Sequence, residues 1–211
     1  MRYEEFTKIQ LANLEKAGVI TSESMPDLEL YIDQIADFFE KKLSGLDDKI
    51  IKKAGSKGAI NEYVKRGIPK PEKKLFNKDH FMMIAMVIYL RGLLDGKDVE
   101  TLMKPLAENY GSEFDDSIDP AVIYDIVIDL TADCAKNLSD TVNKDMVDIK
   151  KALESTDIAD DDRMEILIMI LTLTIRADME KLIARKLIEE YFEQPAKEKP
   201  FKMKKIKRKK D

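Results

Sequence analysis

Between Pro120 and Pro195 the chain contains neither glycine nor proline. Sheets and their turns need that punctuation, because glycine supplies positive φ and proline fixes φ and removes a backbone donor. The whole chain of 211 residues has only 8 Gly and 7 Pro, and Met, Leu, Ile, Lys and Glu are abundant. These residues favour long helices over a sandwich or barrel. The sequence therefore predicts an all-α protein, long enough for one sizeable core or two small ones. Its 44% apolar and 36% charged residues place it among globular rather than disordered chains.

A single cysteine, Cys134, excludes an internal disulfide framework. No signal peptide is recognisable, so the expected location is the reducing cytoplasm. The strongest apolar run, Ile166 to Ile175, is shorter than the ~20 residues a bilayer span needs. It reads as a buried core helix, and no membrane partner is expected.

The net charge of −5 conceals a strong asymmetry. Residues 1–48 carry −6, residues 49–78 carry +8, residues 79–196 carry −14 and residues 197–211 carry +7. Two basic segments thus sit on an acidic body.

Read in order, residues 3–17 form an amphipathic helix, with Phe6, Ile9 and Leu14 on one side and Gly18 as its stop. A second helix follows Pro26, with Leu28, Ile32, Ile35, Phe39 and Leu43 at helical spacing and Ser44-Gly45 at its end. A short basic helix covers residues 47–55. Ser56 caps a helix through Arg66, and Gly67 closes it. Pro69 and Pro71 hold the next stretch extended. Asn77 caps an apolar helix from Lys78 to about Leu94, and Asp95-Gly96 turns into a shorter helix from Asp98 to about Asn109. Residues 110–119 read as a loop and a boundary. Helices then run from Pro120 to about Glu154, with a break near Ser139, and from about Asp160 to Phe192. The expected domains are 1–110, 111–194 and a basic tail, 195–211, without fixed structure.

The informative stretch is residues 55–81. Its short helix is polar on one side, with Lys57, Asn61 and Lys65, while Ile60 and Val64 anchor the other. Such a helix suits a major groove, where an amide like that of Asn61 reads adenine and lysines meet phosphates. The basic turn after it can grip the neighbouring backbone as a wing.

These residues resemble the reading head of the MerR superfamily. Asn61-Glu-Tyr63-Val-Lys-Arg-Gly67-Ile68 is similar to its recognition helix and following turn. Pro69 to Lys74 is similar to its Pro-rich basic wing, and Phe76-Asn-Lys-Asp79-His80 to its next helix entry. Residues 95–102 are similar to the small helix that follows. A closer resemblance, over residues 27–34 and 61–80, is to a bacterial family named domain of unknown function 1836. The similar stretches fall between residues 27 and 106. The superfamily resemblance implies a winged helix-turn-helix head that binds double-stranded DNA. It places Lys57, Asn61, Tyr63, Lys65, Arg66, Lys70, Lys73 and Lys74 at the interface, with Tyr63 packing or touching backbone.

Other features carry two readings. Asp125, Asp129 and Asp133 share a helix face and can hold a divalent cation, or form an acidic exposed face opposite Ile123, Ile126, Val127 and Leu130. His80 reads as a cap or packed polar residue rather than a base, and Cys134 as a packed thiol. The run Phe81–Ile88 is core packing or an adaptable pocket lining for an unidentified small effector. The tail adds phosphate affinity or solubility. No P-loop, GxGxxG, HExxH or cysteine pair is present, so no catalytic residue, metal or cofactor is assigned. The expected protein is a sequence-specific, homodimeric DNA-binding transcription regulator. The alternative is a helical adaptor or effector-binding module whose head has lost DNA binding.

Overall fold

A computed structural model describes residues 2–17, 19–43, 53–108, 119–131, 133–156 and 162–193. Among them are eight α-helices: α1 (Tyr3–Ala17), α2 (Ile32–Leu43), α3 (Lys57–Arg66), α4 (Lys78–Arg91), α5 (Gly96–Glu108), α6 (Pro120–Thr131), α7 (Cys134–Leu153) and α8 (Asp162–Ile188). The described residues contain no strand. One isolated antiparallel bridge joins Leu30 to Phe76, through Leu30 N to Phe76 O at 3.0 Å and the reverse bond at 2.9 Å. The chain is all-α, and among its described residues no helix is long and apolar enough to cross a membrane.

Two cores form. In the first, α4 is central, because its side chains are apolar around nearly the whole circumference. His80 to Ala85, Val87 and Ile88 are all buried. A helix of this kind must be covered on every side; α2, α3, α5 and α6 pack around this core. Phe38 and Phe81 meet edge-on at 5.5 Å, a favoured aromatic geometry. Gly55 allows a close approach, since a Cβ there would lie 3.0 Å from the Cβ of Phe39. Ile20 is held by two tyrosines: Tyr89 Oη accepts its N–H at 2.8 Å, and Tyr124 Oη donates to its carbonyl.

The second core gathers Leu11 of α1, Val142, Met146, Ile149 and Leu153 of α7, and Met169 of α8. Tyr3 Oη donates to buried Glu165 at 2.6 Å, and Arg176 pairs with Asp145 at 2.8 Å. The far end of α8 reaches the first core. Ile188 is buried there, Arg185 Nε stands 3.7 Å from Asp98, and Lys97 pairs with Glu193 at 2.7 Å. Packing therefore crosses residue 110: α6 joins the first core, while α1 joins the second.

Several expectations change. In α1, Phe6, Ile9 and Leu14 are exposed, and the buried side is that of Leu11. The acidic groups Glu4 and Glu165 meet Lys150 on this side, so an ionic seam supplements a thin apolar stripe. Leu28 does not belong to α2. It is 71% exposed, because the chain there runs toward the Leu30–Phe76 bridge and turns helical only at Ile32. The helix α4 stops at Arg91, three residues before Leu94. The break in the Pro120 stretch falls around Asp133, not Ser139. On α6 the buried residues are Pro120, Tyr124 and Ile128, so Ile126, Val127 and Leu130 are exposed rather than internal. Cys134 opens α7 and is exposed. The Ile166–Ile175 segment is only half buried: Met169 is internal, whereas Ile170, Leu171 and Ile175 face outward. The run Phe81–Ile88 packs in the core, with Met82 and Met83 fully enclosed. Gly18, Ser44-Gly45, most of the 47–55 helix, most of the 110–119 loop and the basic tail lie outside the described residues.

Candidate nucleic-acid interface

The helix α3 is delimited by local chemistry. Ser56 Oγ accepts the N–H of Ala59 at 3.4 Å, a cap that serves one of the first-turn donors. At the other end, the N–H groups of Gly67 and Ile68 both donate to the Tyr63 carbonyl at 3.0 Å. The inner side is fixed by Ile60, with no exposed surface, and by half-buried Val64. Tyr63 is also turned inward, and its Oη donates to the Ala54 carbonyl at 2.9 Å. Burial pushes the Tyr63 hydroxyl above its ordinary pKa, against the opposing charge of Arg91. Tyr63 is thus a packed residue.

The outer side carries Lys57, Asn61, Glu62, Lys65 and Arg66, all exposed. A Cβ at Gly58 would meet nothing within 4 Å, so the first turn is open to a large partner. Helical spacing puts Gly58, Asn61 and Lys65 along one face. Two lysines here have acidic neighbours. Lys57 pairs with Asp33 of α2 at 2.5 Å, and Lys65 with Glu62 at 2.7 Å. The hydrogen bond from Lys65, then its charge, lowers the pKa of the Glu62 carboxyl. Arg66 Nε lies 3.9 Å from the same carboxylate.

The segment after α3 is not simply extended. Pro71 leads into a 3-10 turn, Glu72–Lys74, in which Lys73 and Lys74 have φ of 47° and 66°. Two consecutive non-glycine residues in the left-handed region are costly, roughly 1–2 kcal/mol each. Lys70, Lys73 and Lys74 are exposed and form no ion pair among the described residues. The proline-fixed segment therefore offers three exposed ammonium groups close together in sequence.

That segment ends in a capping box. Asn77 Oδ1 accepts the His80 N–H at 3.1 Å, and Asn77 N–H donates to His80 Nδ1 at 3.3 Å. Burial lowers the His80 pKa, and a hydrogen bond with the Pro69 backbone acts in the opposite direction. With the folded pKa below the unfolded value near 6.5, the unfolded chain binds the proton first as pH falls. The stability contribution is present above that value and declines below it. Urea unfolding between about pH 7.5 and 5.5 should show this loss, and His80→Gln should flatten it. An equally steep decline in the variant would place the titrating group elsewhere.

Behind the other flank of α3, a half-open cleft of about 190 Å³ lies between α3, α4 and α5. Arg66 and Arg91 both reach it. Sequence reading gave no sign of Arg91, because the fold brings it to Arg66 across an intervening segment and helix.

The chain belongs to the family described as domain of unknown function (DUF1836), whose model matches residues 20–127. That span includes α2 to α5 and most of α6. No curated protein and no solved structure gives a significant match.

Proposed function

We propose that this chain is a sequence-specific DNA-binding transcription regulator that acts as a homodimer. The observation that carries the reading is α3 itself. Ile60, Val64 and Tyr63 hold its inner side, so Asn61 and Lys65 beside open Gly58 face solvent and can enter a groove. The helix lies in the +8 segment, one of two basic segments on an acidic body, and the turn bearing Lys73 and Lys74 follows it as a wing-like, MerR-like element. The second copy covers the apolar residues that α8 presents to solvent, as large exposed apolar patches commonly mark interfaces.

An amide can bond adenine N6 and N7 together, and such a pair discriminates by about 1–3 kcal/mol. Asn61→Ala should lower affinity for a selected site about tenfold or more while leaving bulk-DNA affinity nearly unchanged. Tyr63→Phe should move both equally or little. The ratio of specific to nonspecific binding at fixed salt is the measurement. If Asn61→Ala leaves that ratio intact, α3 is not the reading helix.

The adaptor reading has its own support, since Asp33 and Glu62 already engage Lys57 and Lys65. Retention on heparin and salt-dependent binding of bulk duplex separate the two. An adaptor with an acidic body shows neither.

A further inference from the structure

The cleft behind α3 is built differently from the outer surface. Its floor is apolar, formed by Ile68, Val87, Val99 and Met103, each buried in the first core. At its mouth two guanidinium groups converge. A Cβ placed on Gly96 would lie 2.9 Å from Arg91 Nη1 and 3.6 Å from Arg66 Nη1. Gly96 has no side chain, so both groups approach the same point beside it. Like charges held this close repel each other unless an anion lies between them. Arg66 has one distant partner, Glu62 at 3.9 Å, and that carboxylate is already bonded to Lys65. Arg91 forms no ion pair among the described residues.

We propose that this cleft binds a small organic monocarboxylate carried on an apolar body of about one benzene ring. The carboxylate lies between Arg66 and Arg91, whose planar donor forks match its two oxygens. The body rests on the valines and Met103. Size supports this class: an enclosed apolar cavity of ~150 Å³ takes benzene, and this cleft offers about 190 Å³. Glu62 and Glu100 also line the cleft; two carboxylates beside two guanidinium groups oppose a dianion such as phosphate more strongly than a monocarboxylate. Arg66 and Glu62 belong to both the cleft and the outer side of α3, but the proposal does not depend on DNA binding, since it is tested without DNA.

The test is calorimetric titration of the full chain, without DNA, using sodium benzoate, benzyl alcohol and inorganic phosphate. Benzoate should bind saturably at one site per chain. Benzyl alcohol has the ring without the charge, and phosphate has the charge without the ring; each should bind at least tenfold more weakly. Arg91→Met should weaken benzoate at least tenfold and abolish its advantage over benzyl alcohol, with an unchanged melting temperature. Arg66→Gln is the second variant and should behave likewise. Absence of saturable benzoate binding would overturn the proposal. So would equal affinity for benzyl alcohol or phosphate, or undiminished binding by a folded Arg91→Met chain.

Discussion

Replacing Lys57, Lys65, Lys73 and Lys74 together by alanine should lower affinity for bulk duplex DNA by roughly 10³-fold at about 0.1 M salt. Each phosphate contact contributes ~0.9 to the slope of log affinity against log salt. Four lost contacts should therefore reduce the slope by about 3 to 4. The acidic neighbours of Lys57 and Lys65 do not remove these residues from consideration. Both pairs are largely exposed, and exposed pairs in water are weak enough for a phosphate to replace the carboxylate. Lys73 and Lys74 form no ion pair among the described residues and need no such exchange. Fluorescence anisotropy with a random duplex across several salt concentrations gives both quantities. The loss should be the same for every sequence, because phosphates carry no base identity. A variant that keeps the parental slope would show that these lysines do not touch the backbone, and the adaptor reading would then stand.

The parts of the candidate interface that were legible in the sequence are those set by short-range chemistry. Ser56, Gly67 and Asn77 mark helix ends by hydrogen bonds within a few residues, and each lies where it was expected. Ile60 was also legible as an anchor, since it stands four residues before Val64 on one side of the helix. Helix faces were less legible where packing depends on distant elements. In α1 the buried side follows Leu11, Glu4 and Lys150, a contact across most of the chain. On α6 the apolar residues lie all round, and only the position of α4 decides that Tyr124 and Ile128 are internal while Leu130 is not. The left-handed backbone at Lys73 and Lys74 carries no glycine signal, so local preference gave no sign of it. The Arg66–Arg91 cleft is a purely tertiary feature: Arg66 stood in the recognition-helix motif, but Arg91 stood in none.

The same distinction bears on assembly, where a helix with two apolar faces exceeds what the described residues of its own chain cover. In α8, Met169 is buried in the second core, yet Leu167, Leu171, Ile175, Met179 and Ile183 are each close to half exposed or more. These five recur every fourth residue and form one ridge that winds slowly around the helix. A second copy related by a twofold would bring the same ridge against it. Leu171→Glu with Ile175→Glu should therefore raise the dimer dissociation constant at least 100-fold. Burying a large aliphatic side chain contributes about 1.5–3 kcal/mol, and symmetry doubles every substitution. Both residues point away from the second core, so the variant should keep its helical content. Sedimentation velocity at micromolar concentration should show a dimer for the parent and a monomer for the variant. A parent that is monomeric throughout would remove the homodimer. A variant that stays dimeric would move the interface to the other exposed apolar residues, Ile126, Val127 and Leu130 of α6. The DNA reading makes one further demand on this pair. The folded monomer should keep most of its bulk affinity per chain but lose the cooperative binding of a palindrome, because only the twofold links two α3 helices at a fixed spacing.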